Sequence, residues 1–125
     1  MQRRYIKPQS KVPRPFSTAV EANGTIYISG YIGVDPQTGK PPADVDEEIK
    51  LLLDGFKRNV ERCGASMDDL VMVQVFCSDV SLFDRFNAKY VTYFNGDLPA
   101  RAFLGSGALL FGARFEILGT AVKSA

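Results

Sequence analysis

The fold of this chain is decided by the stretch Pro99-Ala100-Arg101-Ala102-Phe103-Leu104-Gly105-Ser106-Gly107-Ala108-Leu109, together with Phe115-Glu116-Ile117. It holds one arginine shortly after a proline and one carboxylate inside a hydrophobic strand pattern. The 125 residues include no histidine, which excludes Ser-His and Cys-His nucleophile pairs and histidine-based metal sites. Acid–base chemistry must then come from carboxylates, tyrosines, lysines, backbone groups or water. Arg101 and Glu116 are therefore the main candidates for chemistry.

The composition is that of an ordinary globular domain, with 46% hydrophobic and 23% charged residues. No segment approaches the ~20 consecutive apolar residues that span a bilayer. The basic N-terminus has no apolar segment behind it and does not predict a secretory signal. Cys63 and Cys77 form no CxxC pair and indicate two structural thiols in a reducing compartment. We expect a single cytoplasmic domain spanning residues 1–125, with no metal and no membrane contact.

Charge is distributed unevenly along the chain. Residues 1–15 hold five basic residues and no acid, and the remainder has a net charge of −4. With three prolines as well, residues 1–15 predict an irregular basic arm. Such an arm can contact phosphate, or it can be solvated or packed on a neighbouring subunit. The rest of the chain is acidic and has no basic stripe that would extend the charge of the arm, so nucleic acid is not an expected partner.

Local patterns predict the elements in order. Phe16 to Glu21 and Thr25 to Ser29 form a hairpin around Asn23-Gly24, a type I′ turn sequence. From Asp44 an apolar stripe with helical spacing runs to Val60, with Asp44 or Asp46 as the cap and Gly64 after the end. Leu70 to Val80 is a strand.

A second helix follows, with Ser81 and Asp84 resembling a capping box, and it stops at Asn95-Gly96. Two strands joined around Gly105 to Gly112 complete the chain. In the last strand Glu116 lies on the opposite face from Phe115 and Ile117.

The order β-β-α-β-α-β-β predicts an α+β domain, with two helices on one face of a mixed sheet. The other face carries apolar side chains that no helix is left to cover. An uncovered apolar face implies a partner surface, so we expect a homo-oligomer.

Three residues are candidates for a site, each with a structural alternative. Glu116 in its apolar surroundings is a candidate acid–base group, or else the partner of an Arg114-type neighbour or of a second subunit. Arg101 offers a planar fork for a carboxylate or phosphate, or is an ordinary exposed arginine. Ser29 lies beside Gly30, where a hydroxyl and free backbone donors line a pocket, or it makes a local bond at a strand end.

The segment from Pro99 to Ile117 closely resembles the C-terminal signature of the Rid (RidA/YjgF) family of imine deaminases. That signature runs Pro-Ala-Arg, a small residue, any residue, an apolar residue and, after a short gap, Glu-Ile or Glu-Met. Ile28-Ser29-Gly30-Tyr31-Ile32-Gly33-Val34-Asp35-Pro36-Gln37-Thr38-Gly39 is similar to the other marked stretch of the family. The likeness extends over nearly the whole chain from about Phe16.

The resemblance implies a chorismate-mutase-like α+β fold of the bacillary type, assembled as a homotrimer around a central barrel, with active sites between subunits. It implies hydrolysis of reactive 2-imino acids to 2-keto acids and ammonia, without a cofactor. By position, Arg101 would bind the substrate carboxylate and Glu116 would hold or activate water. The other expected pocket residues are Ser29, Phe16, Phe103, Gly30 and Tyr31.

Three positions depart from the family pattern. Phe16 stands where a tyrosine is usual, Phe103 where many members carry cysteine, and Phe115 is larger than the usual aliphatic residue. These changes remove polar groups, so turnover shifted toward bulkier or more apolar imino acids, weak turnover or none is expected. Two other functions stay open: a non-catalytic protein that binds a small carboxylate through Arg101, and an endoribonuclease or translation inhibitor.

Overall fold

The computed structural model describes residues 2–123, and six strands within them form one mixed sheet in the order β1-β2-β3-β6-β4-β5. β4 and β5 are parallel, and all other neighbours are antiparallel. Two helices pack against one face, which confirms the α+β architecture. The elements are β1 Arg3–Ile6, β2 Ala19–Ala22, β3 Thr25–Ile32, α1 Val45–Arg62, β4 Leu70–Cys77, α2 Phe83–Tyr90, β5 Ala100–Gly105 and β6 Phe115–Val122. None of the helices in this part of the chain is long and apolar enough to cross a membrane.

The prediction of an irregular arm over residues 1–15 is wrong for Arg3–Ile6, which forms β1 and pairs with β2. Arg4 makes an ion pair of 2.6 Å with Glu21 on the neighbouring strand, and the side chain of Ile6 is buried in the core. β1 is an edge strand whose charged side chains face solvent, as is common at sheet edges. The two arginines of the strand and the prolines that follow it from Pro8 concealed the strand, and its pairing partner lies more than ten residues away along the chain.

The hairpin between β2 and β3 is confirmed. Asn23 and Gly24 have φ angles of 53° and 79°, the two positive values that a type I′ turn requires. The helix predicted from Asp44 is also confirmed. The Asp44 carboxylate accepts hydrogen bonds from the backbone N–H groups of Asp46 and Glu47, and Gly64 follows the C-cap with φ of 84°.

The start of the second helix differs from the prediction. Asp79 caps the 3₁₀ turn Val80–Leu82 that leads into the helix, and its carboxylate accepts hydrogen bonds from the N–H of Ser81 at 3.0 Å and from the Ser81 hydroxyl at 2.7 Å. A single 3₁₀ turn precedes α2, and the predicted capping box of Ser81 with Asp84 does not form. The preceding strand accordingly ends at Cys77 rather than Val80.

The core lies between the sheet and the helices. Phe56, Phe86, Phe115 and the aliphatic side chains around them are fully buried there. The opposite sheet face is open, and large apolar side chains on it are exposed, among them Tyr27, Met72 and Leu104. Paired positions place Tyr27, Thr120 and Met72 in one row across the sheet. This open face has the apolar character from which an oligomer was expected.

A buried ion pair joins α1 to β6. Glu48 is completely buried, and its two carboxylate oxygens accept hydrogen bonds from the backbone N–H of Arg114 at 2.8 Å and from Nη1 of Arg114 at 2.7 Å. The same guanidinium donates to the carbonyl of Ala43 at 2.6 Å. Burial raises the pKa of the Glu48 carboxyl, and the hydrogen bonds and charge of Arg114 oppose that rise. The pair fixes the start of β6 against the first turn of α1.

We expect Glu48→Ala to lower the free energy of unfolding by about 2–4 kcal/mol, because removal of one partner leaves the other without its counter-charge. Arg114 keeps some solvent contact, which limits the loss. Urea denaturation measures it. Glu47→Ala removes an exposed carboxylate from the same helical turn and is expected to cost less than about 1 kcal/mol. Equal losses of unfolding free energy in the two variants would show that the Glu48–Arg114 pair stabilises the fold no more than an exposed carboxylate does.

Candidate active site

A β-bulge shapes the end of β3. Ile28 pairs with Gly119 and Tyr31 with Ile117, so Ser29 and Gly30 lie opposite the single residue Leu118. A bulge of this kind interrupts the ladder and redirects the side chains that follow it. β2 has already ended at this level, because its last paired position on β3 is Ile28. The backbone N–H of Ser29 still donates to the carbonyl of Thr18 at 2.9 Å, so the expected free backbone donor at Ser29 is absent, and the sheet edge is uncovered only from Gly30 onward.

A groove of about 1500 Å³ runs along this edge. Five of the predicted site residues line it: Phe16, Ser29, Gly30, Tyr31 and Glu116. The remaining walls come from the N-terminal segment, the C-terminal half of α1 and the loop before β6. The structure thus brings together most of the residues that the sequence singled out.

Glu116 lies in this groove against Gly30. A Cβ atom at residue 30 would overlap the Glu116 carboxylate, so only glycine leaves room for the carboxylate in its present position. The carboxylate is partly buried and has no hydrogen bond or ion pair within residues 2–123. Its neighbour Arg114 pairs with Glu48 instead, which removes one structural alternative for Glu116. A partly shielded carboxylate without a counter-ion is well suited to hold a water molecule or take up a proton.

The other groove residues have distinct positions. The Ser29 hydroxyl donates a hydrogen bond of 2.6 Å to the carbonyl of Ser17, so its oxygen remains available only as an acceptor. Tyr31 packs its ring against Gly55 of α1. Phe16 is 52% exposed at the rim and provides an apolar edge without a hydroxyl.

Arg101 lies elsewhere, on β5 beside α2. Its guanidinium carbon lies 4.7 Å from the ring centroid of Tyr90, 5.3 Å from that of Phe103 and 5.7 Å from that of Phe83. We call these three rings the aromatic cage. Within the described range the guanidinium has no hydrogen bond or ion pair, so contacts with ring faces hold it. Its planar set of N–H donors remains available for a carboxylate.

Phe103 contributes to packing as well as to the cage. Its ring makes edge contacts with Phe83 at 4.9 Å and with Phe86 at 5.6 Å between centroids. Tyr90 is 3% exposed, and its hydroxyl has no partner within residues 2–123. Burial raises the pKa of Tyr90 to about 12, partly offset by Arg101, so the phenol stays neutral. The cage is therefore an uncharged surface beneath a single cation.

Arg101 and Glu116 project from opposite faces of the sheet. Arg101 pairs with Val73, which is buried under the helices, whereas Glu116 pairs with Phe76 on the open face. The strand β4 also separates β5 from β6. One chain therefore holds two separate candidate half-sites: Arg101 in its aromatic cage, and Glu116 in the groove with Ser29, Gly30, Tyr31 and Phe16.

Cys63 and Cys77 are both buried, and burial raises the pKa of both thiols. Residues 2–123 contain no group of three or more potential metal-ligating acidic, cysteine or histidine side chains.

A family model described as Endoribonuclease L-PSP matches residues 8–123. The chain belongs to this family, the Rid (RidA/YjgF) family. A mouse relative named 2-iminobutanoate/2-iminopropanoate deaminase is 40% identical over 110 residues, which are 87% of this chain and 82% of the relative.

Solved structures of Rid proteins agree with the fold. The E. coli YjgF gene product is 33% identical, with a TM-score of 0.83 and coverage of 94% of each chain. E. coli TdcF, solved with bound serine, is 30% identical, with a TM-score of 0.86 and coverage of 97% of this chain and 99% of that one. These likenesses confirm the fold that the resemblance implied.

Several groove residues of this Rid protein escaped the sequence analysis, among them Arg14, Arg58 and Arg62, which bring positive charge to the walls. Leu110 and Phe111 line the same groove as Glu116, in the loop between β5 and β6. Two large apolar residues directly before Gly112, in a loop, could have indicated a role at the surface. The prediction considered only the strands on either side of that loop. Glu48 was also missed, although a carboxylate three residues after Val45 borders the apolar stripe of α1 and is positioned for burial.

We expect Gly30→Ala to displace the Glu116 carboxylate from the groove while leaving the fold intact. The new Cβ meets the flexible end of a side chain, which can rotate away, so the free energy of unfolding should change by less than about 1 kcal/mol. A crystal structure of the variant and urea denaturation check both parts.

Gly96→Ala is the matched control for Gly30→Ala, since a Cβ there meets no atom within 4 Å. A Glu116 carboxylate that stays in place in Gly30→Ala would contradict the close fit described here.

Proposed function

We propose that this protein hydrolyses reactive 2-imino acids to 2-keto acids and ammonia, in a site formed where two copies of the chain meet. One observation carries the proposal: Arg101 without a counter-ion and Glu116 without a cation lie on opposite faces of one sheet. The name of the mouse relative, a deaminase of 2-iminobutanoate and 2-iminopropanoate, supports the substrate class.

Arg101 binds the substrate carboxylate in this proposal. A guanidinium offers two parallel N–H donors that match the two oxygens of a carboxylate. The aromatic cage limits the motion of the arginine before the substrate arrives, which lowers the entropic cost of orienting it. The 2-carbon of the imino acid is then held at a fixed distance from Arg101.

Glu116 handles the proton of the attacking water. The oxygen of water forms a bond to the electrophilic imine carbon, and the Glu116 carboxylate accepts the proton that water releases. The carboxyl group returns that proton to the amine nitrogen of the tetrahedral adduct. The Glu116 carboxylate then takes the hydroxyl proton and passes it to the same nitrogen, the carbon–nitrogen bond breaks as the carbonyl forms, and ammonia departs. An imine needs no strong nucleophile, so a positioned carboxylate is sufficient.

A second copy of the chain brings the two half-sites together. The open sheet face carries exposed Tyr27, Met72 and Leu104, a surface that favours association. Glu116 belongs to the same face, in a row with Phe76 and Leu104. A cyclic homotrimer, with the open faces turned inward as a barrel, would repeat one heterologous contact three times and give three equivalent sites.

Non-catalytic binding of a small carboxylate is the second candidate function. It is favoured by one observation: the groove rim carries Phe16 without a hydroxyl, and the Ser29 hydroxyl is already committed to Ser17. In that case Arg101 would still bind a 2-keto acid, and Glu116 would be dispensable for binding. RNA cleavage is the activity named in the family description, so it is measured as well in the experiment below.

The direct test generates the imine in situ with a pyridoxal-phosphate dehydratase and follows keto-acid formation against a chemical trap. The protein is expected to accelerate hydrolysis, and Arg101→Ala and Glu116→Gln are each expected to reduce the rate at least about 100-fold. Asp97→Asn, a carboxylate change outside both half-sites, is the control. No acceleration beyond solvent hydrolysis, with Arg101-dependent keto-acid binding retained, would favour the binding protein. RNA cleavage abolished by Glu116→Gln would favour the nuclease.

Mixing the two inactive variants tests whether the site is shared between copies. After joint unfolding and refolding at equal amounts, about a quarter of the sites combine an intact Arg101 with an intact Glu116, since each is present with a chance of one half. We therefore expect the Arg101→Ala and Glu116→Gln mixture to regain about a quarter of the native rate. Light scattering and differently tagged copies verify mixed assemblies. Mixed assemblies without regained activity would show that the site lies within one copy.

A further inference from the structure

The loop between β5 and β6 adopts a strained backbone at an apolar residue. Phe111 has φ of 59° and ψ of 17°, and Gly112 follows with φ of 76°. A left-handed conformation is unfavourable for a residue with a bulky side chain, because its Cβ crowds the backbone. Glycine or asparagine would occupy this position at lower cost. We therefore expect the phenylalanine at this position to have a role that depends on its side chain.

Packing within the chain does not supply that role. Phe111 is 64% exposed and Leu110 is 71% exposed. Phe111 takes part in none of the ring–ring contacts among residues 2–123, which involve the aromatic side chains of α2, β5 and β6 and Phe94. The strained turn therefore presents two large apolar side chains to the exterior.

These side chains border the half-site that contains Glu116. Leu110, Phe111 and Phe16 line the same groove as the carboxylate. The segment from Gly105 to Ala113 holds no charged residue, so the wall it forms is electrically neutral. A neutral apolar wall next to a carboxylate suits the side chain of a substrate whose own carboxylate is bound elsewhere.

We infer that Phe111, with Leu110, selects 2-imino acids that carry a bulky apolar side chain, such as isobutyl or benzyl, over those with a methyl or ethyl group. This inference rests on the proposed deaminase function and adds its side-chain specificity. The exposed Phe111 ring covers the substrate side chain, and the left-handed turn holds the ring toward the groove. Burial of such a side chain is worth a tenfold or larger preference over a small one.

The test compares kcat/KM for imines made in situ by an L-amino-acid oxidase from leucine, phenylalanine, alanine and 2-aminobutyrate. The native protein is expected to favour the first two by about tenfold or more. Phe111→Asn keeps a residue that tolerates the left-handed backbone, and Phe111→Gly relieves the strain. Both variants should lose most of that preference through a higher KM for the large imines, while the small imines change less than about twofold.

Val91→Ala is the control, because it removes exposed methyl groups from the turn after α2, outside the groove and away from the open sheet face. It should leave the preference unchanged. An unaltered preference in both Phe111 variants, or an equal loss for small and large imines, would overturn the inference and indicate a role of the loop in folding or assembly.

Keto-acid binding separates this inference from the proposed function. Calorimetry with 4-methyl-2-oxopentanoate and 2-oxobutanoate should show tighter binding of the larger acid by about tenfold, lost in Phe111→Asn. If no imine is hydrolysed faster than in solvent, the deaminase proposal fails, and the binding ratio alone then decides the specificity. Equal affinities for the two acids in the native protein would refute the specificity.

Discussion

The register of the sheet is the constraint on which the function of this protein depends. Side chains alternate between the two faces of a strand, so the pairing of β4 with its two neighbours decides where each candidate residue points. Arg101 is level with Val73, on the face covered by helices, and Glu116 is level with Phe76, on the open face. A shift of one residue in either pairing would move one of them across the sheet. With the observed register, the two side chains lie on opposite faces of the sheet within one copy, which is why the proposed site requires a second copy.

The two half-sites differ in how they are held. Arg101 rests on uncharged rings that leave its donors free for a ligand. The position of Glu116 depends on the structure around its strand. A bulge leaves Gly30 beside its carboxylate, and the hydrogen bonds between Glu48 and Arg114 fix the start of β6 two residues before Glu116. Rigid elements thus support both groups, and the strained turn at Phe111 lies beside the Glu116 groove alone.

The sequence predicted local features well and non-local ones less well. The Asn23-Gly24 pair is itself the sequence of a type I′ turn, and the apolar residues after Asp44 recur with the period of a helix. Both elements are present as expected. β1 was missed because Arg3–Ile6 becomes a strand only through pairing with β2. The start of the second helix was assigned to Ser81 with Asp84, but Asp79 accepts the capping hydrogen bonds two residues earlier and begins a 3₁₀ turn before α2. The face of Glu116 followed from alternation alone, but the opposite placement of Arg101 required the register of β5 on β4, which no local pattern contains.

A crystal structure of the protein with bound 2-oxobutanoate tests the central claim most directly, because it locates both ends of the ligand. We expect the ligand carboxylate to receive two hydrogen bonds from Arg101 of one copy, with the keto carbon facing Glu116 of another copy in a closed trimer. A keto acid bound by Arg101 with no second copy nearby, or bound away from both residues, would contradict the account.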